Sequence, residues 1–288
     1  MNILITGGSG FIGSHLISKL ELNHNIINID LINGGDITKY ETFDKISQPI
    51  DVIYHLAAQP YGKGGELNPY LDLNTNTKGT LNVNLFAYKK NIKKIIYTST
   101  MAVYGDNDNC IETDIPNPLS NYAVSKLFGE YSIKKHHIPY TIFRLWNTYG
   151  PGQDLNNPHK GLVQAMCNQI VSSTDIKVTG SLDRYRDLIY IDDVIDALIL
   201  GLDNNTNNEI YNVSTGKKTT INTLIQTIIK VINNNKQYNI KNIGGHKGDQ
   251  FGCVGNSTKL QNLGWTPNTD IRIGLKNFLH YIKTHNNA

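Results

Sequence analysis

The sequence predicts an α/β protein, a doubly wound parallel sheet with a smaller α+β lobe at its C-terminal end. Three observations predict it. Short apolar runs alternate with amphipathic stretches through the first half of the chain, a glycine-rich loop follows the first run, and the alternation breaks down after about residue 150. The 288 residues, 39% hydrophobic and 18% charged, suffice for one large domain or two smaller ones sharing a core, and are too apolar for a disordered chain.

Taken in order, Ile3–Thr6, Ile26–Asp30, Val52–His55, Ile95–Ser99 and Thr141–Trp146 read as buried strands, being short runs rich in β-branched and aromatic residues. The stretches 11–21, 39–48, 70–90 and 119–137 read as the helices between them. Between Asp30 and Val52 there is room for one helix and little else, so the usual third strand of such a sheet is expected to be very short or missing. Beyond Trp146, helices are expected near 160–172, 192–203, 219–233 and 271–285, among brief strands at 176–179, 187–191 and 209–213.

Composition excludes several classes of function. Lys+Arg 27 against Asp+Glu 24 gives a net charge of +3 with no long basic run, which suggests neither a nucleic-acid groove nor an electrostatic membrane anchor. Structure begins with the first strand and no apolar run approaches eighteen residues, so a soluble, cytoplasmic protein is expected. Cys110, Cys167 and Cys253 are widely spaced without a CxxC, which points to reduced thiols and to no metal cluster. The 36 Asn and the mere four Arg among the basic residues mark a bias across the whole chain, and runs such as Asn233-Asn234-Asn235 read as surface loops.

After the first strand comes Thr6-Gly7-Gly8-Ser9-Gly10-Phe11-Ile12-Gly13, with a helical pattern starting inside it. Glycines at 7, 10 and 13 allow a tight turn, close approach of backbone to a pyrophosphate, and close helix–strand packing, while the helix N-terminus offers N–H groups to the anion. Asp30 ends the next strand about twenty residues on, where a carboxylate can bind an adenosine ribose diol or simply end the strand in a turn. That carboxylate repels a 2′-phosphate, and Leu31-Ile32-Asn33 brings no cation to attract one, so NAD is favoured over NADP. Gly35-Asp36-Ile37 reads as a second contact at this edge, with Asp36 reaching the adenine amine. Residues 1–150 are therefore expected to form an NAD-binding domain, to which segments near 187–213 return, and residues 151–288 mainly a substrate-binding lobe.

Tyr122-Ala-Val-Ser-Lys126 is the next dense feature. Positions i and i+4 share one helix face, so phenol and ammonium can point into one site, and a neighbouring positive charge would lower the phenol pKa towards a working range. The run Ile95-Ile-Tyr-Thr-Ser99-Thr100-Met-Ala-Val-Tyr104-Gly105 delivers Ser99 and Thr100 at the carboxyl end of a strand, where ligands bind in open α/β sheets. A hydroxyl there can bond a sugar alcohol and pass its proton to Tyr122.

The loop at 6–13, His55-Leu-Ala-Ala58, Asn76-Thr-Lys-Gly-Thr80, Ser99-Thr100-Met-Ala-Val-Tyr104-Gly105, Tyr122-xxx-Lys126, Arg144-Leu-Trp-Asn147-Thr-Tyr-Gly-Pro151 and Arg186-Asp-Leu-Ile-Tyr-Ile-Asp-Asp193 resemble, in order, the motifs of the extended short-chain dehydrogenase/reductases. Among these the chain is most similar to the nucleotide-sugar epimerase/dehydratase family, and within it to the UDP-glucose 4-epimerases. The likeness runs to Leu263-Gly-Trp265-Thr-Pro267. It implies a Rossmann domain, cofactor contacts from Gly7, Gly10, Phe11, Ile12, Gly13, Leu56, Ala57, Ala58, Asn76, Ser99, Tyr122 and Lys126, and a catalytic set of Thr100, Tyr122 and Lys126.

The resemblance also implies the chemistry. Tyr122 would take the sugar O4 proton as C4 loses a hydride. Related dehydratases carry an Asp-Glu pair just after the catalytic Thr or Ser, and related decarboxylases a Glu; here Met101 and Ala102 can neither take nor give a proton. The expectation is an NAD-dependent isomerase that inverts C4 of a nucleotide-diphosphate sugar, most simply a UDP-sugar. The alternatives are a 4-keto reductase, another dehydratase or decarboxylase of the family, or a non-catalytic dinucleotide sensor.

Substrate contacts carry over from the family in part. Asn147 matches a residue that binds the nucleotide diphosphate, or caps a turn; Arg186 matches a phosphate-binding Arg, or pairs with Asp192 or Asp193. In Gly245-His-Lys-Gly-Asp249, His246 stands where the family has a second phosphate-binding Arg, and it either shares that task with Lys247 or lies in a differently arranged region. Four residues past Asp249, Cys253 would leave room for an N-acetyl group, or is a buried structural cysteine. Helices 70–90 and 119–137 carry more apolar residues than one sheet needs, and in the family they form a homodimer interface.

Overall fold

The apolar runs of the first half pair into a six-stranded parallel sheet in a computed structural model that describes residues 1–60, 68–156, 161–244 and 251–285. The strands are β1 (Asn2–Thr6), β2 (Asn25–Ile29), β3 (Val52–His55), β4 (Lys94–Thr100), β6 (Tyr140–Leu145) and β11 (Glu209–Val213), in spatial order β11-β6-β4-β3-β1-β2. The strand runs are continuously apolar because both faces of the sheet are covered. Ile3 and Ile5 of β1 join Tyr54, Ile96 and Phe143 in one core cluster, while the intervening Leu4 joins Ile53, Ile95, Tyr97 and Ile142 in the other. That is the period of two expected of a strand with two buried faces.

The first cluster lies under helices α1 (Phe11–Leu20) and α7 (Ile191–Leu200). The second lies under α4 (Gly79–Lys89) and α5 (Asn121–Lys134). Chain order reverses between β1 and β3, which opens a crevice at their carboxyl ends, the usual ligand position in such sheets.

The missing third strand is as expected: no strand lies between Ile29 and Val52, and β2 is the edge of the sheet. Past β2 a single 3-10 turn, Leu31–Asn33, is capped by the Asp30 side chain, and the Asn33 carboxamide turns back on the strand. It accepts from Asp30 N at 2.9 Å and donates to Asn28 O at 3.0 Å.

Other expectations need correction. The helix expected over 39–48 is one turn, α2 (Glu41–Asp44), anchored to the core by Phe43. The helix over 70–90 is continuous but changes register: α3 (Pro69–Asp72) passes through a π-helical turn, Leu73–Lys78, into α4. The strand at 187–191 divides into β9 (Tyr185–Arg186) and β10 (Leu188–Tyr190).

Beyond the sheet stand α6 (Leu162–Ser172), α8 (Ile221–Ile232), α9 (Thr258–Gln261) and α10 (Ile271–His285). Strands β5 (Asn107–Cys110), β7 (Asn147–Tyr149), β8 (Asp175–Val178), β12 (Thr219–Thr220), β13 (Asn239–Asn242) and β14 (Cys253–Gly255) form two-stranded pairs there with β9, β10 and one another. Most of these strands are two to four residues long and owe their form to distant partners, which a local pattern does not reveal.

Candidate functional site

At the end of β1 the chain turns into α1 through a loop that only glycine can build. Gly7 has φ +76, and a Cβ on it would stand 2.6 Å from Ala57 N; a Cβ on Gly13 would collide with Gly7 O. Helix α1 starts at Phe11 with no side-chain cap on Gly10 and no acidic residue in its first turn. Its leading N–H groups and dipole are thus left to an outside anion, the fit required for a dinucleotide diphosphate.

Strand β2 holds this loop from the side. Asp30 accepts from Ser9 N at 3.0 Å, and Asn28, two residues earlier on the same face, accepts from Gly8 N at 3.0 Å and donates to Ser9 Oγ at 3.0 Å. Asn28 was missed by sequence reasoning, although period two from Asp30 points to it.

Asp36 bonds Thr38 through its Oδ1 and lies 3.6 Å from Lys39. Burial pushes its carboxyl up, but those partners outweigh it and hold it below the usual range. Ile37 is buried against Gly79, where a Cβ would meet its Cδ1 at 2.5 Å.

A chain of hydrogen bonds joins the loop to the far wall of the crevice. Thr80 Oγ1 donates to Asn76 O at 2.6 Å, so its contact with His55 Nε2 at 2.9 Å has the imidazole N–H as donor. His55 Nδ1 must then accept from Thr6 Oγ1 at 2.8 Å, and Thr6 Oγ1 in turn accepts from Ala57 N at 3.3 Å. Burial, with the Lys126 charge, holds His55 down to about 3, so the ring is neutral at ordinary pH.

This chain fixes Leu56–Ala58 beside the loop, with Leu56 N bonded to Thr6 O. Asn76, on the π-helical turn, accepts from Gln59 N at 2.8 Å and donates to Ser125 Oγ at 2.9 Å, and Ser125 Oγ donates to Tyr122 O. The Asn76 side chain therefore ties the crevice wall to α5. Ser99 is likewise committed, its hydroxyl donating to Glu130 Oε1 at 2.5 Å.

Thr100 ends β4 and caps the 3-10 turn Met101–Tyr104, accepting from Ala102 N at 3.2 Å. Its side chain also acts on the Tyr122 phenol, so strand end and helix meet as the spacing requires. Burial pushes Tyr122 up to about 12; the Thr100 hydroxyl works against that rise and the Asp72 carboxylate adds to it. Lys126 is buried one turn further along α5, and burial pulls its ammonium down to about 7, against the pull of Glu130. The expected lowering of the phenol by Lys126 is thus not what governs Tyr122 in the chain alone. Desolvation governs both groups.

Glu130, another turn along α5, takes a bidentate bond from Arg144 of β6, at 3.0 Å to Oε1 and 2.7 Å to Oε2, with both side chains buried. Tyr122, Lys126 and Glu130 are spaced i, i+4, i+8 and share a helix face.

On the substrate side, Asn147 is half-buried, and its N–H donates to Asp187 O at 3.3 Å. The Arg186 guanidinium donates to Tyr185 O and Phe251 O and is paired by charge with neither Asp192 nor Asp193. Burial first, then the neighbouring Arg184 charge, pulls it down to about 10. A guanidinium so placed can hold a phosphate in a bidentate grip.

Asp187, wholly buried, accepts from Thr215 N, Gly216 N and Gly255 N and so holds the strand ends around Arg186. Cys253 is also wholly buried, its sulfur 3.3 Å from that of Cys110, which agrees with the reading of a buried structural cysteine. His246, Lys247 and Asp249 lie outside the described residues.

Residues 3–214 match the model of the family described as NAD dependent epimerase/dehydratase. A protein of Methanocaldococcus jannaschii, provisionally named a UDP-glucose 4-epimerase, is 32% identical over 99% of each chain. The structure of UDP-glucose 4-epimerase from Thermotoga maritima, solved with UDP-glucose, superposes with a TM-score of 0.91 at 30% identity, covering 99% of both chains. The UDP-N-acetylglucosamine 4-epimerase of Methanobrevibacter ruminantium, in complex with UDP-N-acetylmuramic acid, gives 0.87 at 26% identity over 99% of this chain and 98% of that one.

Proposed function

The chain belongs to the NAD dependent epimerase/dehydratase family, and from that premise we propose that it is an isomerase inverting C4 of a nucleotide-diphosphate sugar, a UDP-hexose or UDP-N-acetylhexosamine. Its cofactor is NAD. When bound, NAD supplies a reversible hydride acceptor for C4, which lets C4 pass through a ketone.

The chain's own residues do the rest. The glycine loop and the start of α1 hold the cofactor diphosphate, Asp30 its adenosine ribose and Lys126 its nicotinamide ribose. Tyr122 takes the proton from O4 and later returns it, with the Thr100 hydroxyl acting on the same phenol. Asn147 and Arg186 grip the substrate diphosphate and leave the sugar free to present either face. In this reading residues 1–150 are mainly the cofactor domain and 151–288 mainly the substrate lobe.

One observation carries the reading: Thr100, whose hydroxyl acts on the Tyr122 phenol, stands directly before Met101 and Ala102. Elimination of water or of carbon dioxide needs a second proton donor or acceptor beside the sugar, and neither side chain is one. The test is to incubate the purified chain with UDP-glucose, UDP-N-acetylglucosamine and their uronic acids and to follow products by NMR. The C4 isomer should form without added cofactor and without net reduction. Loss of the 6-hydroxyl or release of carbon dioxide would refute the proposal.

We further infer a homodimer. Leu81, Leu85 and Tyr88 of α4 and Val124, Phe128 and Tyr131 of α5 are exposed on adjoining helices, an apolar face larger than scattered surface residues make. Sedimentation should give twice the 32.2 kDa chain mass, falling to one chain in Phe128→Asp; a monomeric wild type at micromolar concentration would refute it. A cytoplasmic location, with Cys110, Cys167 and Cys253 reduced, completes the reading. No helix among the described residues is long and apolar enough to cross a membrane.

A further inference from the structure

One aromatic ring at the centre of the site has no assigned task. The Lys126 ammonium lies 4.2 Å from the centroid of the Tyr97 ring. Tyr97 comes from the middle of β4, on the sheet face covered by α5, and its phenol donates to the Lys126 carbonyl at 3.4 Å. The approach depends on Gly129, where a Cβ would stand 2.7 Å from the Tyr97 Cζ. A larger residue there would push the ring away from the helix.

Among the described residues, the other charged or titratable groups facing this ammonium have their hydrogen bonds engaged elsewhere or are neutral. Glu130, from the same helix, pulls on the ammonium by its charge, but its oxygens are bonded to Arg144 of β6 and Ser99 of β4. His55 of β3 is neutral. Tyr122 is protonated at ordinary pH, and Asp72, from α3, acts on that phenol. The face of the Tyr97 ring, negative by its quadrupole, is what remains turned to Lys126.

We propose that Tyr97 is a positioning residue, its ring face forming a fixed seat for the Lys126 ammonium in the cofactor crevice. Its importance for turnover rests on the function proposed above. A buried ammonium that has lost water needs either an anion or a π face to stay charged. A full anion would fix the charge but would compete with the ribose hydroxyls for the N–H donors. A ring supports the charge and leaves all three donors free.

The test is the titration of Lys126 in the full chain, read from the ¹³Cε resonance of labelled lysine and assigned by its loss in Lys126→Met. Tyr97→Phe keeps the ring and should titrate like wild type. Tyr97→Leu should titrate about one pH unit lower, as expected for loss of a desolvated cation–π contact. Tyr97→Met, which fills more of the ring's volume, repeats the comparison if the Leu variant does not fold. An unshifted Leu or Met variant would overturn the proposal. So would a Phe variant shifted as far as Leu, since the hydroxyl would then be the active part. The readout is independent of catalysis: normal titrations in a chain that forms no C4 isomer would remove the proposed reaction and leave the seat in place.

Discussion

Tyr122→Phe is expected to reduce turnover by about 10²–10⁴-fold, the range for loss of a positioned acid–base group, while NAD binding is retained. The phenyl ring keeps the packing of α5 on β4, and only the O–H on which Thr100 acts is lost. Two variants of its neighbours separate the acid–base role from a structural one. The Thr100 hydroxyl holds the Tyr122 pKa down, so Thr100→Val raises it and moves the acid limb of the rate profile to higher pH. The Asp72 carboxylate holds the same pKa up, so Asp72→Asn moves that limb to lower pH. Opposite shifts in the two variants are the result expected. Tyr122→Phe with turnover intact, or limbs that stay fixed in both variants, would remove Tyr122 from the proton transfer.

Glu130→Ala is expected to destabilise the chain by about 3–5 kcal/mol, a large part of what usually holds a domain folded. The pair it breaks is among the least exposed charges described, with Arg144 and Glu130 at 3% and 2% side-chain exposure. Burial alone would disfavour the Arg144 charge. The Glu130 carboxylate outweighs that and holds the guanidinium above its ordinary pKa. Removing the carboxylate leaves a cation over the Tyr104 ring with no anion, and leaves the Ser99 hydroxyl without its acceptor. The double variant Glu130→Leu, Arg144→Met should cost clearly less than Glu130→Ala, because no orphaned charge remains. Urea unfolding measures both. A Glu130→Ala midpoint equal to wild type would sink this account.

Much of the site was legible in the residues. Gly7, Gly8 and Gly13 of the loop occupy places where a Cβ would collide or the backbone is left-handed, so residue type and conformation point the same way. The i, i+4 spacing of Tyr122 and Lys126 delivers both to one face, and the same spacing carried one turn further points to Glu130. Side-chain commitment was not legible. Ser99 and Asn76 sit in motifs that suggest ligand contacts, yet their polar atoms are taken by Glu130, Gln59 and Ser125. Those partners are 17 to 49 residues away, beyond any local pattern. The same holds for the small strands of the C-terminal half. Cys253–Gly255 pairs with Asn107–Cys110 across more than 140 residues, so neither reads as a strand alone. The π-helical turn at Leu73–Lys78 follows from tertiary bonding as well, since Asn76 must reach both Gln59 and α5.

The carboxamide of Asn33 gives the edge of the sheet a further meaning. In a parallel ladder, one residue of a neighbouring strand donates to the carbonyl before its partner and accepts from the N–H after it. Asn33 makes those two bonds about Ile29, to Asn28 O and from Asp30 N, with its side-chain amide in place of a peptide group. One side chain thus imitates one residue of the absent strand, at the point where the edge meets Asp30. A shortened sheet is closed there against stray pairing by a single amide, and the residue closing it also fixes the backbone of the carboxylate that faces the glycine loop.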